Sequence, residues 1–256
     1  MIRLDNISKI FNPGTINEVY ALSRVDLLLP EGEFTTVIGG NGSGKSTMLN
    51  AIAGVYPIDE GRIKLDGNDI TFLPEHQRAA WLGRVFQDPM IGTASEMTIE
   101  ENLALAIRRG TRRGLARGVP KVERAKYREA LAQLDLGLED RLTTKVGLLS
   151  GGQRQALTLL MATIKEPKLL LLDEHTAALD PKTAQKVLEL TEILVTRNKL
   201  TTLMITHNMK DAIRFGDRLI MMSGGKIVFE AFGEEKKELT VKDLVEKFST
   251  IEVMEE

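Results

Sequence analysis

Gly39-Gly40-Asn41-Gly42-Ser43-Gly44-Lys45-Ser46 follows the apolar run Phe34 to Ile38 and opens the helix-forming stretch Lys45 to Ala53, which Gly54 stops. The spacing is G-x-x-x-x-G-K-[ST], with a strand before it and a helix after it. Phosphate oxygens need several donors converging on one point. Small residues let successive backbone N–H groups curl around an anion, and the helix start adds the positive end of its dipole. Lys45 then neutralises the β- and γ-phosphates, and the Ser46 hydroxyl is an expected Mg²⁺ ligand. Gly39, Asn41, Gly42, Ser43, Gly44 and Thr47 complete the candidate phosphate site. A plain glycine-rich turn would not require Lys-Ser at its end. The loop implies a nucleoside triphosphate without choosing among kinases, GTPases and ATPases. The base-reading Asn-Lys-x-Asp of GTPases is missing, since Asn198-Lys199-Leu200-Thr201 fails it.

Two further stretches narrow the chemistry. Leu169 to Leu172 reads as a buried strand that ends in Asp173-Glu174. Asp173 is placed to hold Mg²⁺ through water. Glu174, one residue on, can orient or deprotonate the attacking water. Leu149-Ser150-Gly151-Gly152-Gln153 reads as a capped helix start, with Ser150 and Gln153 as a capping box. Such a start is a second anion site. One chain has no evident need for two.

Around these motifs the chain reads as α/β. Alternating Ile2, Leu4, Ile7 and Val25, Leu27, Leu29 predict half-buried strands. Ile63 and Leu65 precede the turn Asp66-Gly67, and Leu82 to Phe86 reads as another strand. From about Asp88 to Lys165 the pattern is helical, with a capping box at Thr98 and Glu101. Further on come a helix with Asp180 as N-cap and Pro181 first, a strand over Thr201 to Ile205, a short helix ending near Gly216, and a hairpin around Ser223-Gly224-Gly225. A charged tail follows, with a helix from Thr240. Strands alternating with helices imply a largely parallel sheet covered on both faces.

The composition agrees. Of 256 residues 43% are hydrophobic and 27% charged, as in a soluble globular protein, and a chain this long buries about 70–75% of its unfolded surface. With 34 basic and 36 acidic residues the net charge is −2, which argues against wholesale nucleic-acid binding. Absence of cysteine excludes disulfides, thiolate metal sites and cysteine nucleophiles. No apolar stretch reaches the ~18–20 residues of a membrane span, and no signal peptide is expected.

Taken together, the phosphate loop, Asp173-Glu174 and Leu149 to Gln153 resemble the nucleotide-binding subunit of an ATP-binding cassette (ABC) transporter over essentially all of residues 1–230. The resemblance implies a P-loop NTPase core with a mostly parallel sheet, an antiparallel β subdomain and an α-helical subdomain. It places the first part of the core at 1–87, the helical subdomain at 88–165, the rest of the core at 166–234 and a tail at 235–256. It implies a head-to-tail dimer around two ATP-Mg²⁺, in which Ser150 and Gly152 of one copy touch the γ-phosphate held by the other. Gln87, in Val85-Phe86-Gln87-Asp88, resembles the glutamine that senses Mg²⁺ and links to the membrane partner. His207 resembles the switch histidine on the γ-phosphate, and Ala178-Leu179-Asp180 the loop that crosses the dimer. The aromatic that stacks on adenine matches Phe11 first and Tyr20 second.

Two positions depart from the family. His175 stands where proline is usual, and Ala177 where serine is. His175 reads as a neutral loop residue, with tuning of the adjacent carboxylate as the other reading. Arg108 to Arg128 holds nine Lys/Arg and one Glu. It reads as a solvated insertion, with lipid or permease contact next and nucleic acid last.

The resemblance thus implies an ATPase on the cytoplasmic face of the cell membrane, driving a separate integral-membrane permease. An extracytoplasmic solute-binding protein is the expected companion. The region Asp88 to Asn102 resembles a bacterial importer subgroup tied to small solutes, among them aromatic amino acids. A soluble cassette ATPase, for example in cluster assembly, is the alternative. Repair and translation cassettes do not fit, because neither a long coiled coil nor a second cassette is present. A non-hydrolysing module does not fit the presence of Gln87, Glu174 and His207.

Overall fold

The computed structural model describes residues 1–111, 118–120 and 122–255. The basic run at 108–128 therefore falls partly outside the described residues, at 112–117 and 121. In chain order the elements are β1 (Ile2–Phe11), β2 (Val19–Leu29), β3 (Phe34–Gly39), α1 (Lys45–Ala53), β4 (Glu60–Leu65), β5 (Asn68–Asp69), α2 (Glu75–Arg78), β6 (Leu82–Val85), α3 (Ile99–Ile107) and α4 (Glu123–Ala132). They continue with α5 (Gly151–Thr163), β7 (Leu169–Asp173), α6 (Pro181–Arg197), β8 (Thr202–Ile205), α7 (Met209–Arg214), β9 (Arg218–Ser223), β10 (Lys226–Phe232), α8 (Gly233–Glu238) and α9 (Val241–Glu255). The chain forms two compact units, Met1–Arg78 with Lys199–Glu256, and Ala79–Asn198.

The first unit contains an antiparallel sheet in the order β2-β1-β4-β5. Its register sets Ile2 opposite Leu29 and Leu4 opposite both Leu27 and Ile63, so alternate apolar residues share one buried face. A second set of strands runs β10-β9-β3-β8. There β3 is parallel to both β8 and β9, and β10 closes an antiparallel hairpin on β9. Phe34 to Ile38 is buried throughout, as a parallel strand covered on both faces must be. Helices α7 and α9 cover this strand set, where Ala212 and Leu244 pack with Ile38, Leu219 and Met221. The charged residues from Glu235 onward predict a tail, yet Lys236 is buried and its Nζ donates to Gly216 O (2.8 Å) and to Phe215 O. Helix α8 is therefore tied to the turn that follows α7, a tertiary role that charge pattern alone does not reveal.

Arg78 is buried in the same unit and donates to four carbonyls. They belong to Leu73 (2.7 Å), Thr71 (2.8 Å), Ala51 (2.7 Å) and Ile52 (2.8 Å). The last two lie in the C-terminal turn of α1, where Ala51 O also accepts from Gly54 N (3.2 Å), so one side chain ties the α2 turn to the phosphate-loop helix.

In the second unit β6 and β7 pair in parallel, Leu82 to Val85 against Leu169 to Leu172. The four leucines of β7 are fully buried, and each contributes about 2 kcal/mol of transfer free energy. Both predicted capping boxes form. Thr98 Oγ1 accepts from Glu101 N, and Ser150 Oγ from Gln153 N, each at 3.3 Å. Asp180 caps α6 by accepting from Thr183 N at 3.1 Å, with Pro181 at the first helical position. The bonds from Thr183 also hold the Asp180 carboxyl below the usual carboxylate range.

Candidate nucleotide site

The loop at 39–44 leaves the carboxyl end of β3, between β8 and β9, and ends on α1. Two features shape it. Gly44 has φ +100°, and a Cβ there would overlap Ala21 O, so only glycine fits without strain. The hairpin turn behind the loop holds it through Gly225 N to Ser43 O (3.2 Å) and Ser23 N to Gly225 O (2.9 Å).

Helix α1 starts with no side-chain cap and no acidic residue in its first turn. Its first N–H groups cannot be satisfied within the helix, and no carboxylate offsets the positive end of its dipole. Four other helices are treated otherwise, since α3, α5, α6 and α7 carry side-chain caps, and the uncapped α4 and α8 have acidic residues in their first turns. The Lys45 ammonium reaches back over the loop, donating to Gly39 O and Gly40 O at 2.8 Å each. Loop carbonyls thus hold a buried cation where an anion would sit. Ser46, next in the helix, is exposed.

His207 follows β8, whose Ile205 is in register with Val37 of β3. Parallel neighbours end on the same edge, so His207 and the phosphate loop leave adjacent carboxyl ends, the usual ligand edge of an open α/β sheet. The imidazole is exposed, and Asn208 caps α7 by accepting from Lys210 N (3.0 Å).

The same logic groups Gln87 with Asp173 and Glu174 in the second unit. Val85 pairs with Leu172, so Gln87 and the two carboxylates leave neighbouring strand ends. Glu174 adopts φ +44°, a left-handed conformation costing roughly 1–2 kcal/mol in a non-glycine residue. Ala177 N closes a turn on Glu174 O at 2.9 Å. The next residue, His175, is buried, and burial pushes its imidazole down to about 4, so it is neutral at physiological pH.

Two positioning contacts were not legible as site features. Arg84, in β6, forms an ion pair with Asp173 (3.8 Å) and lies over the Phe86 ring. A lone cation inside an apolar strand was the available signal. Gln155, buried in α5, donates to Phe86 O at 3.3 Å, linking the helix begun by Ser150 to the backbone just before Gln87.

At the start of α5, Gly151 and Gly152 occupy its first two positions, where N–H groups lack intrahelical partners. A Cβ on Gly152 would run into the Thr183 methyl, so this glycine also permits close approach of α5 to α6. Among the aromatic candidates, Phe11 ends β1 and Tyr20 pairs with Ile10 beside it. Tyr20 is exposed, whereas Phe11 is supported by Tyr56, an aromatic two residues past the helix-stopping Gly54.

Three relatives frame this geometry. The chain is 45% identical over 250 residues to the tyrosine transport ATP-binding protein of Clostridioides difficile, covering 97% of this chain and 98% of the relative. It is 34% identical to the methionine import ATP-binding protein MetN of Escherichia coli, covering 94% of this chain and 70% of that one. A solved dimeric ATP-binding cassette, in a post-hydrolysis state with ADP and Pi, superposes with a TM-score of 0.77 at 32% identity, covering 91% of this chain and 98% of the other. The family described as ABC transporter matches residues 22–177, a span that runs from β2 through the phosphate loop and Ser150 to the turn after Glu174, and the chain belongs to that family.

Proposed function

We propose that this protein is the ATP-hydrolysing, energy-coupling subunit of a membrane importer and works as a head-to-tail pair around two ATP-Mg²⁺. The observation that carries the nucleotide reading is the start of α1, uncapped and free of acidic residues, with the Lys45 ammonium held over it. That donor set suits the oxygens of a phosphate chain. Three residues supply oxygen atoms suited to a hard cation: Ser46, Gln87 and Asp173. Among the described residues no cluster of three or more His, Cys, Asp or Glu could form a metal cage. Magnesium favours this pattern, since it binds through one or two carboxylates plus substrate phosphates. When bound, it would neutralise charge on the β- and γ-oxygens.

The chain's own residues then divide the work. Lys45 and the loop N–H groups of Gly39 to Thr47 bind the phosphates. Phe11 stacks on the base. Glu174 orients and deprotonates the attacking water, and His207 senses the γ-phosphate. Ser150, Gly151, Gly152 and Gln153 of a second copy, with Asp180 at the dimer crossing, complete the closure.

The names of the relatives support the transport setting over cluster assembly, because both are ATP-binding proteins of transport systems. No helix among the described residues is long and apolar enough to cross a membrane. The transport setting of those relatives supports a separate permease as partner, a peripheral position on the membrane's cytoplasmic face, and a solute-binding protein on the other side. The tyrosine-transport relative supports an aromatic amino acid as cargo.

Lys45→Ala tests the nucleotide reading. Loss of a charge-assisted contact to phosphate should weaken ATP binding at least tenfold by calorimetry, with circular dichroism unchanged. Unaltered affinity would refute the loop assignment.

A further inference from the structure

His175 lies directly after Glu174, in the segment joining β7 to α6, and its side chain is only 2% exposed. Its Nε2 is 3.0 Å from Thr191 Oγ1, midway along α6. The Thr191 hydroxyl gives its own proton to Val187 O at 2.8 Å. It can therefore only accept at His175, which makes the imidazole the Nε2–H tautomer. A solvated loop histidine would need no such partner.

The bond matters because of what precedes it. Glu174 is held at φ +44°, in a conformation that L-residues avoid unless their surroundings impose it. The turn from Ala177 N to Glu174 O closes the peptide on one side. The segment's far end is fixed where Asp180 caps α6. The near end is fixed to the same helix by His175. Helix α6 thus grips both ends of the segment from His175 to Asp180, which directly follows Glu174 and carries Ala177 to Leu179.

We propose that His175 is a positioning residue for Glu174: its Nε2–H bond to Thr191 keeps the left-handed backbone that presents the Glu174 carboxylate to the attacking water. This rests on the reading of Glu174 as the hydrolytic base. A misplacement of about 1 Å in a reacting group can cost a hundredfold in rate, so an anchor one residue away has ample leverage.

The test is steady-state ATPase kinetics on the purified protein with magnesium. The variants are His175→Leu, His175→Gln, Thr191→Val and Glu174→Gln, with ATP affinity and thermal midpoint measured on each. His175→Leu and Thr191→Val should each lower kcat tenfold or more, with KM for ATP within twofold. The double variant should be no slower than the worse single, because the two residues make one bond. The glutamine amide can replace an Nε2–H donor, so His175→Gln should recover most of kcat. A lower thermal midpoint with kcat within twofold of wild type in both His175→Leu and Thr191→Val would reduce His175 to a packing residue and overturn the proposal. If His175→Leu does not fold, Thr191→Val decides by the same criteria. Glu174→Gln separates the two layers. If it hydrolyses ATP at the wild-type rate, the base assignment fails and the proposal falls with it. If it is inactive while the anchor variants are normal, only the positioning role fails.

Discussion

Phe11 and Tyr56 meet edge to face, with ring centroids 5.3 Å apart and planes at 85°. Lys9, ion-paired to Asp59 at 3.0 Å, places its ammonium 5.6 Å from the Phe11 centroid. A cation over the ring and an aromatic partner set edge to face with it hold the phenyl ring in place.

Stacking on an aromatic contributes about 1–3 kcal/mol per base. Phe11→Ala should therefore weaken ATP binding about tenfold by fluorescence titration. Tyr20→Ala, which removes an exposed ring, should change it less than twofold. The reverse order would move the adenine assignment to Tyr20.

Arg78 offers a stability test away from the chemistry. Its guanidinium satisfies four carbonyls, two of them at the end of α1. Bonds from charged donors are worth about 1.5–3 kcal/mol each, and buried acceptors left unpaired carry a further cost. Arg78→Met should lower unfolding free energy by about 3 kcal/mol or more in urea titrations. A midpoint within error of wild type would show that the cluster contributes nothing net.

These residues mark the limit of what could be read in advance. The span of α1, its stop at Gly54, both capping boxes and the Asp180-Pro181 start are local signals, written within a few residues. Parallel pairing follows from strand–helix alternation. By contrast, Arg78 looks like any surface cation until the turn at α2 folds it beneath α1. Tyr56 becomes relevant only once β1 passes the end of α1, and Lys236 only once α8 packs on α7. His175 read as a neutral loop residue. It is neutral, but it is buried against α6, and a two-residue view around Glu174 cannot show what lies across the chain at Thr191.

Burial of His175 also predicts an acid response of the fold. Its folded value is depressed to about 4 from 6.5. Between those values the unfolded chain binds a proton that the folded chain does not, so stability is full above pH 6.5 and falls as pH drops toward 4. The loss reaches about 3 kcal/mol at the lower end. Urea midpoints of nucleotide-free and metal-free protein should show this slope in wild type. His175→Gln, which does not titrate, should lack that component. Parallel slopes would mean the histidine is charged or exposed.

The central claim is that one chain carries half of each nucleotide site. Ser150 to Gln153 begins one helix and Lys45 another, and both helix starts are suited to phosphate oxygens. ATP should then act as interfacial glue, and hydrolysis should release the pair, a population shift that a permease can use. Glu174→Gln keeps the side-chain shape and removes the carboxylate proposed as the base. The most direct measurement is multi-angle light scattering of Glu174→Gln with and without ATP-Mg²⁺. We predict a monomer without nucleotide and a dimer with it, while wild type returns to monomer as ATP is consumed. A Glu174→Gln protein that stays monomeric at high concentration and saturating ATP would contradict the head-to-tail account, and with it the roles of Ser150 and Gly152.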